Sequence, residues 1–384
     1  DAFNGTVLWK RNIPKWHTQL WPLKSGPVQL TRRLVAVKDR VFATLGLHAP
    51  VSIIDADTGR TLRTCDASAG AEEILWSDDV LYLLVNPAPE EKPFVPDRSG
   101  VWNDTKRVAT DDDWVWNGKA RRLRAVDPES GQVIWDREAR VVPMTLTVGP
   151  KRVYCHDGEA IAARDRHTGE TLWRSEPVSR KSKIPPRFGP NLIVHENTLL
   201  FTGGDRSMHG LDAATGRILW KEHHPRSGHC SQEDLMVVGG LAWSGDIASG
   251  KGSGVFTGRN PRTGEAVKQF PPDVETYWFH HRCYRSKATE NFLLPSRTGI
   301  EFVDFRKEQW DPHHWVRGGC IYGIMPCNGL IYAPPHDCAC YLESKLYGFN
   351  VLAPRSPSRR IRPLPDAARL IRGPAYDSPL TAGA

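Results

Sequence analysis

The chain has 384 residues, 40% of them hydrophobic, and a formal net charge of +7. That is enough apolar material for one large core or two ordinary ones, and no apolar run approaches the ~20 residues of a membrane helix, so a soluble globular chain is expected. Residues 354–384 hold six arginines (355, 359, 360, 362, 369 and 372) against Asp366 and Asp377, or +4 of the +7. The rest of the chain carries about +3, too little for a nucleic-acid footprint, which excludes nucleic acid as the expected partner.

Asp1 opens the chain with neither an initiator Met nor a signal-peptide pattern, which predicts a processed chain or a piece excised from something longer. In chain order, the first element is half of a pattern, "FNGTVLW" at 3–9. Two strand-like runs, "LVAV" and "VFATL", follow around Asp39, and then "DADTGRTL" at 55–62. Residues 86–122 break the rhythm with a proline-, acid- and Trp-rich stretch that reads as a long surface insertion. The pattern returns as "VDPESGQVIW" at 126–135, "RDRHTGETLW" at 164–173 and "LDAATGRILW" at 211–220. A weaker copy is "RNPRTGEAV" at 259–267, a degenerate one "VDFRKEQW" at 303–310, and "KLYGFNVL" at 345–352 ends the series. The Pro-, Ser- and Arg-rich residues 354–384 then read as a linker or disordered tail behind a 1–353 domain.

Each copy is two short strands around a tight turn, with Asp or Asn opening it and Gly supplying the left-handed position. Two further strands between copies make units of four antiparallel strands, A to D, every 38 to 54 residues or so, the signature of a β-propeller blade. Seven C strands are expected to end near 55, 127, 165, 212, 260, 304 and 350. The last lacks a D strand, and the orphan at 5–10 can complete it, closing an all-β, seven-bladed ring and removing a sheet edge. The alternative is a fragment of an eight-bladed ring.

The Asp-x-x-x-Gly-x-x-x-Trp spacing resembles the tryptophan-docked repeat of the PQQ-binding-like, or quinoprotein-like, propeller family, over about 350 residues. The resemblance implies that Trp135, Trp173 and Trp220 dock one blade on the next, and it implies an envelope, periplasmic or secreted setting. It does not choose between quinoprotein dehydrogenases and noncatalytic scaffolds of the BamB type. Dehydrogenases of the family carry a vicinal Cys-Cys pair beside the cofactor; here the nearest approach is Cys338-Ala339-Cys340, which argues against PQQ.

The A-B and C-D turns, expected on one face, are short and generic, whereas the opposite face collects the unusual residues. It holds "HHPRSGHC" at 223–230, "WFHHRCYR" at 278–285, "WDPHHWVRGGC" at 310–320 and "PPHDCACY" at 334–341. Cys283 and Cys320 each lie seven residues before their A-B turns, at Glu290 and Cys327, and the same count reaches Arg32, Gly189 and Gln232. A rim of Arg32, Gln232, Cys283 and Cys320 around the channel is therefore expected.

The chemistry expected on that face is a funnel that binds, and if catalytic transforms, an anionic small molecule or saccharide. Arg32, Arg187, Arg282, Arg285, Arg297 and Arg317 are candidate ligands for a carboxylate, sulfate or phosphate, with Trp315 beside them. His280, His281, His313 and His314 are candidate acid-base groups, with Tyr284 or Tyr322 as partner acid, for lyase or hydrolase chemistry on an anionic carbohydrate. The bland alternative is that the arginines tie loops to Glu275, Asp311 and Asp337. Cys283, Cys320, His336, Cys338 and Cys340 could hold a divalent metal, although their spacing matches no standard zinc module, and a Cys283–Cys320 disulfide is the competing arrangement. "GDIASGKG" at 245–252 ends on Gly where a phosphate-binding loop needs Ser or Thr, and it sits in a blade loop; it is rejected. The second function class is a noncatalytic scaffold that docks a protein partner, and the third a metal- or PQQ-dependent enzyme.

Overall fold

The structure is a computed structural model that describes residues 7–13, 32–46, 48–88, 118–182, 190–226, 233–247, 252–271, 284–295, 299–313, 315–319, 323–335, 346 and 348–355. The expected insertion falls mostly, and the expected tail almost wholly, outside these residues.

It is a seven-bladed β-propeller. Six blades are antiparallel sheets of four strands in sequence order, spanning residues 34–65, 71–139, 147–177, 191–223, 236–270 and 287–313. The seventh has three strands among the described residues, Met325–Cys327, Leu330–Ala333 and Asn350–Leu352. Observed C strands end at Asp55, Val126, Asp165, Asp212, Arg259, Asp304 and Leu352, within two residues or so of the expected points.

The repeat builds its own turn. Asp55, Asp127, Asp165, Asp212, Asn260 and Asp304 each accept, through Oδ1, backbone N–H groups two or three residues ahead. The glycine that follows takes a left-handed φ, as at Gly169 (+73°). In the degenerate copy Glu308 occupies that place and adopts φ 60° itself.

Blades join through a second property of the repeat. The side chain four residues after the turn glycine lies against the turn of the next blade. Trp135 donates its indole N–H to Arg166 O (2.9 Å) and covers Gly169, where a Cβ would stand 2.5 Å from the ring. Trp220 does the same with Pro261 O (2.9 Å) and Gly264. Trp173 covers Gly216, but its Nε1 is buried and finds no acceptor among the described residues. Two copies lack the Trp. There Arg63 donates to Ser130 O (2.8 Å) and Lys268 to Arg306 O (3.0 Å).

Trp9 completes the circle. Its Nε1 donates to Ala56 O (2.7 Å), its ring covers Gly59, and Arg11 donates to Gly59 O (2.8 Å). Residues 7–13 thus stand to blade 1 as every outer strand stands to the next blade, in the fourth-strand position of blade 7. Buried apolar clusters fill the joints between, for example Phe42, Ile53, Leu81 and Leu83 between blades 1 and 2, and Tyr284, Ile300, Ile324 and Ile331 between blades 6 and 7.

Candidate functional site: the axial channel

The first strands of the blades pack edge to edge around the axis: Leu34–Val37, Ala71–Ser77, Thr147–Val148, Asn191–His195, Met236–Val238, Lys287–Ala288 and Met325–Cys327. The residues at or just before their starts therefore converge at one end of the channel, which is where the count of seven placed Arg32.

Two arginines reach around this channel. Arg32, ahead of blade 1, forms an ion pair with Glu73 of blade 2 (Nη1–Oε2, 3.0 Å) and donates to Leu146 O beside blade 3 (2.9 Å). Arg285, ahead of blade 6, passes blade 5 and donates to Asn191 Oδ1 of blade 4 (2.7 Å). Side chains that skip a blade can do so only through the centre of the ring. Glu73 is 3% exposed; burial pushes its carboxyl pKa up, while Arg32 and the Met144 N–H, which donates to Oε1 at 2.5 Å, pull it back. Burial, and then the neighbouring Arg32, lower the Arg285 pKa to about 10, with Asp234 opposing. Lys287, two residues after Arg285 and the first residue of the strand Lys287–Ala288, is brought down to about 8 by burial and then by Arg285. Arg33, 4% exposed, falls to about 10 through burial, with Glu72 and Glu73 opposing.

The other expected site residues are distributed more widely. Tyr284 is 1% exposed, packs against Gly323, and donates its hydroxyl to Gly299 O (3.3 Å), a core position between blades 6 and 7. His313 lies on the outermost strand of blade 6, Gln309–His313. Trp315 is 65% exposed, and Arg317 is buried at 2%. His280, His281, His314, Tyr322, Arg187, Arg282, Arg297, Cys283, Cys320, His336, Cys338 and Cys340 lie outside the described residues, as do Gln232 and Gly189 of the expected rim. Among the described residues no three His, Cys, Asp or Glu gather as a metal site, and the described cysteines, Cys65, Cys155 and Cys327, are free thiols. His156 is fully buried and stacks on Phe201 (4.9 Å). Its Nε2 lies 2.9 Å from Val178 O, and burial lowers its pKa to about 4.

Sequence reasoning missed Glu73, Asn191 and Lys287. Seven back from Asp79 lands on Glu72, one short, because the ladder of blade 2 slips between Ala71 and Glu73. Asn191 and Lys287 are the first residues of their strands, two and four positions beyond Gly189 and Cys283, where the count of seven lands.

Residues 119–271, the last two strands of blade 2 through blade 5, match the family described as outer membrane protein assembly factor BamB. The BamB assembly factor of Burkholderia pseudomallei (strain K96243) is 29% identical over 249 residues, 56% of this chain. Its repeats are of the PQQ-like, BamB type. The chain spans 63% of the length of that BamB relative. Among solved structures, BamB from Moraxella catarrhalis aligns at 14% identity and TM-score 0.47, over 80% of each chain. A europium-containing methanol dehydrogenase aligns at 12% and 0.44, over 78% of this chain and 72% of its own.

Proposed function

We propose that the protein is an interaction scaffold of the BamB type in the cell envelope, docking a protein partner on its propeller. The match of residues 119–271 to the assembly-factor family supports the class, and an exposed group of side chains in and just before blade 7 supports the place. There Trp315 (65% exposed), Leu346 (50%) and Phe349 (57%) stand in water, and the backbone N–H of Leu346 donates to Trp315 O (2.9 Å). Large exposed aromatics held by local backbone contacts are the usual anchors of protein interfaces. Among the described residues no helix is long and apolar enough to cross a membrane.

A photo-crosslinking residue at position 315, in envelope preparations, tests this. The expected result is a discrete protein adduct that Phe349→Asp removes and that is absent when the probe replaces exposed Val133 on blade 2. Adducts of equal yield from both positions, or none from 315, overturn the reading.

The second reading is a funnel for an anionic small molecule or saccharide. Arg32 and Arg285, both reaching around the channel, favour it. Equilibrium dialysis against glucuronate at fixed ionic strength tests it, and retention no greater than for glucose removes it.

A further inference from the structure

Polar groups that fold into an interior are normally matched to partners, because a buried donor without an acceptor costs more than the hydrogen bond would have contributed. Two neighbouring groups of blade 4 have no partner among the described residues. Asn191 is 4% exposed; its Oδ1 accepts from Arg285, which fixes the amide orientation, and its Nδ2 is buried with no partner among the described residues. Thr202 stands opposite Asn191 in the ladder, hence on the same face of the sheet, and its Oγ1 is buried and unpartnered as well.

The charges nearby are unmatched in the same sense. Lys287 has no carboxylate partner among the described residues, and its electrostatic neighbour is another cation, Arg285. Glu73, the buried acid of the channel, is already held by Arg32 and the Met144 N–H. Among the described residues Arg32, Arg33, Arg285 and Lys287 stand with Glu72, Glu73 and Asp234, an excess of one positive charge before any ligand is added. Among the described residues the donors left over are the Asn191 amide N–H₂, the Thr202 hydroxyl, the Lys287 ammonium and the remaining N–H groups of Arg285, with the buried carboxylate of Asp234 near Arg285.

We propose that the axial channel holds a tetrahedral oxyanion, phosphate or sulfate, between Lys287, Arg285 and the Asn191 amide. A guanidinium and an ammonium supply the charge and three or more donors, the combination that recognises such anions. The anion also relieves the repulsion between Arg285 and Lys287. This narrows the second reading above to one ligand class and three residues, and it stands apart from the docking reading.

Calorimetric titration with inorganic phosphate, with ionic strength held constant by sodium chloride, tests the site. Saturable binding by the unaltered protein is expected, weakened about tenfold or more in Lys287→Met and unchanged in Lys151→Gln, an exposed turn residue. Asn191→Asp is the second variant: it places a carboxylate beside Arg285, so phosphate binding is expected to vanish while the folded protein persists. No saturable binding, as when ordered water fills the site, or equal affinity in Lys287→Met, overturns the proposal. Glucuronate in place of phosphate separates the readings: if glucuronate binds regardless of Lys287→Met, the wider funnel stands and this site falls.

Discussion

The ring has two kinds of joint. Between blades 2 and 3 and between blades 4 and 5, an indole covers a turn glycine and donates one hydrogen bond to a carbonyl. Between blades 1 and 2 and between blades 5 and 6, Arg63 and Lys268 occupy the same position and donate to carbonyls of the same turn. What the two kinds share is the acceptor; what differs is the area removed from water. Trp135 is 5% and Trp220 8% exposed, whereas the Arg63 bond lies at the surface. At these four joints the position supplies a donor to the turn carbonyls and tryptophan adds apolar burial to it, whereas at Trp173, between blades 3 and 4, the packing on Gly216 stands with no acceptor for the indole among the described residues.

Breaking the apolar half of a joint is expected to have the largest effect. Trp135→Ala should lower stability by roughly 3–5 kcal/mol, read from the shift of the urea unfolding midpoint, since it empties a buried indole site. A loss under about 1 kcal/mol would mean the joint collapses and its burial counts for little.

Acid comes next, and it selects one joint. His156 of blade 3 and His209 of blade 4 are both buried, and burial brings each pKa from 6.5 to about 4. Because the folded values lie below the unfolded ones, stability is complete above about pH 6.5 and falls as pH drops toward 4, where the unfolded chain binds protons first. The loss should be on the order of 3 kcal/mol for His156. Denaturation midpoints at pH 7 and pH 4.5 that agree within error would contradict this.

Smaller effects separate the joints more finely. Trp135→Phe forfeits the bond to Arg166 O and should cost about 1 kcal/mol more than Trp173→Phe, whose indole N–H finds no acceptor among the described residues. Paired unfolding curves of the two variants measure the difference. Arg63→Ala should be smallest, under about 1 kcal/mol, as expected of a solvated cation. A loss comparable to Trp135→Ala would erase the distinction between the two kinds of joint.

The architecture was legible because the repeat states its turns twice, by an Asp or Asn that caps them and by a glycine at positive φ. Even the copy that lacks its glycine, at Glu308, keeps the capping Asp304. The channel was legible only at Arg32 and Arg285. The count from turn to strand start works where the ladder is regular, and the slip at Ala71–Glu73 defeats it. Tyr284 shows the other difficulty. In "WFHHRCYR" it reads as one more polar group, but it is buried between blades 6 and 7 while its neighbour Arg285 reaches Asn191 of blade 4. Adjacent residues in one segment thus belong to different compartments, and composition alone does not sort them.

The position of Trp9 bears on how such a ring comes together. The sheet it completes ends at Leu352, more than three hundred residues away along the chain, yet its docking partners Ala56 and Gly59 lie within about fifty. The near contact can form as soon as blade 1 exists, at the modest loop-closure entropy of a short segment. Residues 7–13 then wait on blade 1 as a preplaced template. The distant closure becomes the addition of one sheet to an edge already in position, and not a search by two loose ends.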